Sequence, residues 1–304
     1  MTSNLDAASL FRVDGIVAVI TGGGTGIGLI MARALAVNGA KCVYLLGRRL
    51  DVLNAAAQEH PGIFVPIQCD VTSHASLQCA VDRVAAETGY INLLVANSGA
   101  VGPVAGLNPS LSLSEVRSKL FSQEIMDGMT STMNVNATGA YFTMIAFLEL
   151  LEMGNKRALE GRGFGGPRMG SNGDVPSVQS QVIVTSSIAA FSRMYASTPA
   201  YAAGKAAILH LAKHASSNLA SYGIRVNALA PGLFPSELAS GLIAGRDPST
   251  EAIDDPRFIP ARRFGGDEEM AGQLLYLASR AGAYTNGCVL MADGGRSSVM
   301  RSSY

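Results

Sequence analysis

Short, continuously apolar runs rich in β-branched residues alternate along the chain with longer stretches whose apolar positions recur at helical spacing. The first kind predicts strands at Ile16–Ile20, Lys41–Leu46, Ile63–Gln68, Ile91–Ala96, Gln181–Ser186, Ile224–Leu229 and Cys288–Met291. The second predicts helices over Gly26–Asn38, Leu50–Glu59, His74–Thr88, Leu113–Asn134, Ala137–Met153, Tyr201–Ala220 and Asp267–Ser279. Strands that alternate with helices in this way imply a single α/β domain built on a doubly wound parallel sheet. The runs are apolar throughout, so helices must cover both faces of that sheet. Two segments break the rhythm. Residues 154–180 are rich in Gly, Arg, Asn and Ser and read as a surface excursion, because the alternation resumes after them. Residues 233–264 carry Pro235, Pro248, Pro256 and Pro260 and read as a long, functional loop after a strand.

Composition narrows the function classes. With 304 residues, 48% hydrophobic and 15% charged, the chain has ample core and is not intrinsically disordered. Lys+Arg and Asp+Glu are both 23, so no basic excess exists to neutralise nucleic-acid phosphates. No apolar run reaches the ~18 residues of a membrane span. Met1–Asp14 has no basic patch ahead of an apolar core, so it is not a secretory signal, and a cytoplasmic protein is expected. The four cysteines form no CxxC and read as free thiols. His210 and His214 lie one helical turn apart without a third ligand, so no metal site is expected.

Candidate chemistry begins at Thr21–Gly28, TGGGTGIG, which follows a strand and opens a helix. Glycines let a backbone approach a phosphate without a Cβ in the way, and the helix start offers free N–H groups and a positive dipole end. Nucleotide binding follows, through Thr21, Gly22, Gly24, Thr25, Gly26, Ile27 and Gly28. After the second strand comes Leu46-Gly47-Arg48-Arg49. An NAD enzyme usually places an acid there to bind the ribose 2′-hydroxyl. Here Gly47 takes that place, and the guanidinium of Arg48, with Arg49 beside it, can pair with a 2′-phosphate. NADP(H) is therefore expected over NAD(H).

Further motifs carry a resemblance. Tyr201 and Lys205 form YAAGK; Ser186 and Ser187 end the run IVTSS; Asn136 stands in MNVNATG. ANSG at 96–99 follows the fourth strand, Asp70 lies in CDVT, NALAPG spans 227–232 ahead of Ser236, and DGG spans 293–295. Together with the glycine turn this series resembles the short-chain dehydrogenase/reductase family over nearly the whole chain, and within it 3-oxoacyl-carrier-protein reductases and fungal carbonyl reductases. The resemblance implies a Rossmann-type fold and a catalytic set of Asn136, Ser187, Tyr201 and Lys205. It also implies that Asp70, Val71, Asn97, Gly99, Pro231, Gly232, Leu233 and Ser236 contact the cofactor. ANSG departs from the family's usual NNAG. The spacing from Ser187 to Tyr201 is one residue longer than usual, which leaves Ser186 as an alternative to Ser187.

In that set Tyr201 and Lys205 share one helix face. A nearby Lys205 ammonium and the oxidised nicotinamide both favour the phenolate of Tyr201, so Tyr201 can donate a proton to a carbonyl oxygen and accept it in reverse. Ser187 would stabilise the developing oxyanion. The resemblance adds that Lys205 holds the nicotinamide ribose and that Asn136 interrupts its helix to seat a water. Val101, Ser187, Phe191, Met194, Tyr195 and Phe234 are expected to line an apolar substrate pocket. Apolar outer faces expected on Ala137–Leu151 and Tyr201–Ala220 suit a homodimer or homotetramer, and the tail beyond Gly295 is a candidate cover for a neighbouring subunit's site. The leading expectation is NADPH-dependent reduction of a carbonyl compound. Oxidation of an alcohol, or a redox-neutral or scaffold role on the same fold, stands as the alternative.

Overall fold

Strand β1 (Val17–Thr21) is buried along its length, sending Ala18 and Ile20 into one core and Val17 and Val19 into another. A strand apolar on both faces must sit inside a sheet covered on both sides. In this computed structural model, which describes residues 5–104, 106–167, 175–194 and 197–301, β1 pairs in parallel with β2 (Cys42–Gly47) and β4 (Leu93–Ala96). With β3 (Phe64–Gln68), β5 (Gln181–Thr185), β6 (Arg225–Pro231) and β7 (Val289–Ala292), the strands form one seven-stranded sheet in the order β3-β2-β1-β4-β5-β6-β7. Every pairing is parallel. The order reverses between β1 and β4, which opens a crevice at the carboxyl edge there.

The helices are α1 (Ala7–Phe11), α2 (Gly26–Val37), α3 (Leu50–Ala57), α4 (His74–Glu87), α5 (Leu113–Leu120), α6 (Gln123–Met133), α7 (Ala140–Ala146), α8 (Leu148–Leu159), α9 (Pro199–Asn218), α10 (Ser240–Ile243) and α11 (Asp267–Ala278). Met31 and Leu35 of α2, Leu53 of α3 and Leu274 of α11 fill the core on one sheet face. Leu77 of α4, Met144 of α7, Leu151 of α8 and Ile208 of α9 fill the other. The two-layer covering read from the apolar strands is thus present.

The structure departs from the periodicity at helix ends. The stretch predicted as one helix over Leu113–Asn134 is two. Ser112 opens α5 in a reciprocal capping box with Glu115, and Ser122 caps α6 by accepting from the Ile125 N–H at 3.3 Å. At its far end α6 does not stop. It runs through a π-helical turn, Asn134–Gly139, into α7. Helix α8 continues to Leu159, into the stretch read as excursion. Gly154 lies there because a Cβ would collide with the Ile91 carbonyl, not because the chain turns. Asn155 accepts from the Ser180 N–H at 2.7 Å and donates to the Gly223 carbonyl at 2.9 Å. The polar composition of this stretch therefore conceals a buried anchor.

Candidate active site

The glycine turn is built by hydrogen bonds from both neighbouring strands. Gly22 N–H donates to the Leu46 carbonyl at 2.7 Å, holding the turn against β2. Gly22 has φ +64°, where an L side chain is strained. Gly28 serves closeness: a Cβ there would run into the Gly22 carbonyl and the Asn97 amide. Gly24 packs against Val52 and Leu53 of α3, and Gly26 against Ser236. Thr25 occupies the cap position of α2 without capping it, and no acidic residue lies in the first turn, so the helix start faces an anion uncontested. Ile27 is half-buried in that first turn. A glycine turn packed this closely onto its neighbours, at the start of an uncapped helix with no acid in its first turn, fits a dinucleotide pyrophosphate.

Thr21, expected to touch the cofactor, has another task. It is buried, and its Oγ1 accepts from the N–H groups of Asn97 and Ser98 at 2.9 and 3.0 Å. The Asn97 side chain returns a bond to the Thr21 carbonyl at 3.1 Å. Together these bonds draw the turn after β4 onto the glycine turn. Beyond β3, Thr72 donates twice to Asp70 Oδ1, at 2.9 Å from its backbone and 2.8 Å from its hydroxyl, and holds the carboxyl below its ordinary range. Val71 is buried against Gly139 of the π turn. Arg48 and Arg49 leave β2 exposed, and Arg49 Nη2 pairs with Glu237 Oε2 at 2.7 Å.

The catalytic candidates converge where β4, β5 and α9 meet. Asn136 is fully buried in the π turn, accepting from the Ala100 N–H and donating to the Ala100 carbonyl, both at 2.8 Å. The expected helix break is therefore a widened turn, and the side chain of Asn136 is spent on the loop after β4. Gly204 lets α9 pack against Asn136, and a Cβ on Gly99 would stand 3.4 Å from Lys205 Nζ and 3.5 Å from Asn136 Oδ1. Lys205 is buried and donates to the Thr185 carbonyl at 2.7 Å. Burial lowers it from the ordinary lysine value of 10.5 to about 8.

The two serines face different ways. Ser186 is buried and donates to the Lys205 carbonyl at 2.8 Å, which fixes β5 to α9. The Ser187 hydroxyl accepts from the Ala189 N–H at 3.1 Å and lies 3.5 Å from the Pro231 carbonyl, on the Tyr201 side of the strand end. Burial pushes the Tyr201 phenol up, and Ser187 only partly opposes this; the lowering expected of the phenol drew on the oxidised nicotinamide as well as on Lys205. The Lys205 ammonium stands 5.7 Å from the centre of the Tyr201 ring and is held by Thr185. The chain alone therefore keeps Tyr201 protonated.

Around this cluster Val101, Phe191 and Met194 are half-buried. Phe234 is a correction: it lies in the core beneath α2 and α11, with its ring stacked where a Gly265 side chain would stand, and does not face a pocket. Tyr195 lies outside the described residues. Leu233 is half-buried, and its carbonyl accepts from the Gly265 N–H at 3.0 Å, closing the base of the long loop. Gly232 packs directly against Asp293 of the DGG turn. The tail binds its own chain: Arg296 donates to the Phe258 and Pro256 carbonyls at 3.1 Å, and the Arg301 carbonyl accepts from the Arg193 N–H at 3.1 Å. Sequence reasoning missed Ala100, Thr185 and Glu237 as partners of site residues. The first two act through backbone groups, which leave no sequence signal.

A family model described as short chain dehydrogenase matches residues 16–159, and one described as enoyl-(acyl carrier protein) reductase matches residues 170–297. A short-chain dehydrogenase/reductase of Stachybotrys chartarum, SAT3, is 61% identical over 90% of this chain and all of its own length. A short-chain type dehydrogenase/reductase from Mycobacterium marinum has a similar structure, with TM-score 0.74 and 29% identity over 96% of this chain and 99% of that one. The RhlG/NADP active-site complex of Pseudomonas aeruginosa is also similar, with TM-score 0.72 and 27% identity over 95% of this chain and 99% of that one.

Proposed function

The chain belongs to the short-chain dehydrogenase/reductase family of oxidoreductases, and from that premise we propose that it reduces a ketone to a secondary alcohol with NADPH, Tyr201 giving the proton. One arrangement carries the reading: Tyr201 and buried Lys205 stand one helical turn apart on α9, with Lys205 Nζ 5.7 Å from the centre of the Tyr201 ring, beside a glycine cradle at the sheet's switch point. When bound, NADPH would supply a hydride equivalent. Tyr201 transfers its hydroxyl proton to the carbonyl oxygen, and Ser187 stabilises the charge developing there. The raised Tyr201 suits this direction, since the group is protonated at neutral pH. Lys205 orients the ribose, and Asn136 holds the Ala100 loop that walls the site.

The cradle at Gly22, Gly24, Gly26 and Gly28 would hold the pyrophosphate, Asp70 and Val71 the adenine, and Asn97, Gly99, Pro231, Gly232, Leu233 and Ser236 the nicotinamide half. Arg48 takes the 2′-phosphate, supported by the missing acid at Gly47 and by the NADP complex of the similar RhlG. The apolar side chains of Val101, Phe191 and Met194 favour an apolar ketone over a polyol. Free thiols at all four cysteines support a cytoplasmic setting, and assembly as a homodimer or homotetramer is part of the same reading. Among the described residues no helix is long and apolar enough to cross a membrane.

The test is NADPH consumption with a panel of alicyclic and aromatic ketones, on wild type and Tyr201→Phe. Loss of turnover by roughly 10²–10⁴-fold in the variant, with NADPH binding retained, is the expected result. Retained turnover in the variant would refute Tyr201 as the acid.

A further inference from the structure

The ion pair between Arg49 and Glu237 joins residues 188 positions apart. Arg49 precedes α3, whose Val52 and Leu53 pack against Gly24. Glu237 follows Ser236, whose Cβ lies 3.0 Å from where a Gly26 side chain would begin. The glycine turn therefore lies between the two partners, and their bond at 2.7 Å bridges it. Glu237 is held from its own side, because its carbonyl accepts from the Ser240 hydroxyl at 2.9 Å and Ser236 Oγ accepts from the Ala239 N–H at 3.2 Å. Elsewhere the long loop is pinned by buried contacts, such as Arg246 on Glu251 at 2.6 Å with both side chains under a tenth exposed. The Arg49–Glu237 pair is more than half exposed on both sides and so is readily exchanged.

We propose that Glu237 sets the cofactor preference by competing with the 2′-phosphate of NADP(H) for the Arg49 guanidinium. The proposal rests on Arg48 being the phosphate's first partner. Arg48 follows Gly47 directly, and its neighbour Arg49 would add a second guanidinium to the same phosphate, were it not already paired with a carboxylate. A phosphate that approaches Arg49 must displace Glu237 or lie beside its like charge, and either lowers the gain from Arg49. NAD(H) carries no phosphate there and escapes the competition. Glu237 is in this sense a specificity-determining residue, acting through Arg49.

The experiment is fluorescence titration of NADPH and NADH on wild type, Glu237→Gln, Arg49→Ala, the double variant and Arg48→Ala. Glu237→Gln is expected to tighten NADPH about two- to fivefold, the scale of an exposed ion pair, and to leave NADH unchanged. The loss on Arg49→Ala is expected to be larger in the Glu237→Gln background than in wild type. NADPH binding that is unchanged or weaker in Glu237→Gln, while Arg48→Ala still loses NADPH, overturns the proposal and leaves the NADP reading standing. A gain shared equally by both cofactors overturns it as well. Equal NADPH and NADH binding by wild type and by Arg48→Ala overturns the NADP reading, and this proposal with it.

Discussion

Lys205 holds its ammonium in the interior with the Thr185 carbonyl as acceptor, and burial lowers it to about 8. The unfolded chain therefore binds more protons than the folded one between about pH 8 and 10.5, and stability rises with pH through that window. Below about 8 the full penalty of a buried charge is present. Lys205→Met keeps the length and removes the charge, so thermal melts at pH 7 should show it more stable than wild type, on the order of 2–4 °C. That advantage should vanish by pH 10.5, and the variant should not turn over ketones. A variant no more stable at pH 7 would mean that the bond to Thr185 outweighs the burial. Residue types and spacing identified Tyr201 and Lys205, but not what each side chain bonds. The phenolate expected from a neighbouring ammonium depends on a charge that the interior disfavours and the Thr185 carbonyl holds. Phe234 misled for a related reason, since an aromatic in a functional loop looks the same whether it faces ligand or core.

Strands were legible to within two residues because a parallel sheet covered on both faces demands unbroken apolar runs, as at Val17–Thr21 and Gln181–Thr185. Helix ends were less legible. The start at Leu113 was legible, but Ser122 is a cap, and inside a long apolar periodicity it passes for a surface residue. The π turn leaves still less trace, because it needs only one residue more per turn than its flanks. Its function is concrete. Widening the helix at Asn134–Gly139 accompanies an Asn136 side chain that binds both the N–H and the carbonyl of Ala100. Asn136→Ala would leave both backbone groups without their partner, at roughly 1–3 kcal/mol each. Denaturant unfolding should show that loss. Asn136→Asp keeps an acceptor for the Ala100 N–H but sets a buried carboxylate against the Ala100 carbonyl, so its loss should be at least as large as that of the alanine variant. A smaller loss would mean that the carboxyl stays protonated and donates to that carbonyl.

At the scale of the molecule the sheet's outer layers are uneven. On α9 His210, Lys213 and His214 are exposed, while Ala202, Ala203, Ala206, Ala207 and Leu211 are half-buried, so the helix offers a small apolar face beside a polar one. Helix α7 is different: Phe142 is 52% exposed and Ile145 39%, three positions apart and hence on one face. Single exposed apolar residues are ordinary, but this pair stands on one helix face. If the chain assembles as a homodimer or homotetramer, this pair on α7 is one surface an interface would cover. Because α7 continues directly from the π turn that carries Asn136, a partner packed on it would also stiffen the wall of the site. The double variant Phe142→Asp and Ile145→Asp puts two carboxylates where a partner would desolvate them, a cost that an interface of ordinary size does not withstand. Light scattering after size exclusion should therefore give an oligomer for wild type and a monomer for the variant. The variant's circular dichroism should be unchanged, since both positions face outward. A wild-type monomer would remove the assembly from the functional reading while leaving the chemistry of Tyr201 intact. A variant that remains oligomeric would move the interface to another face of the sheet.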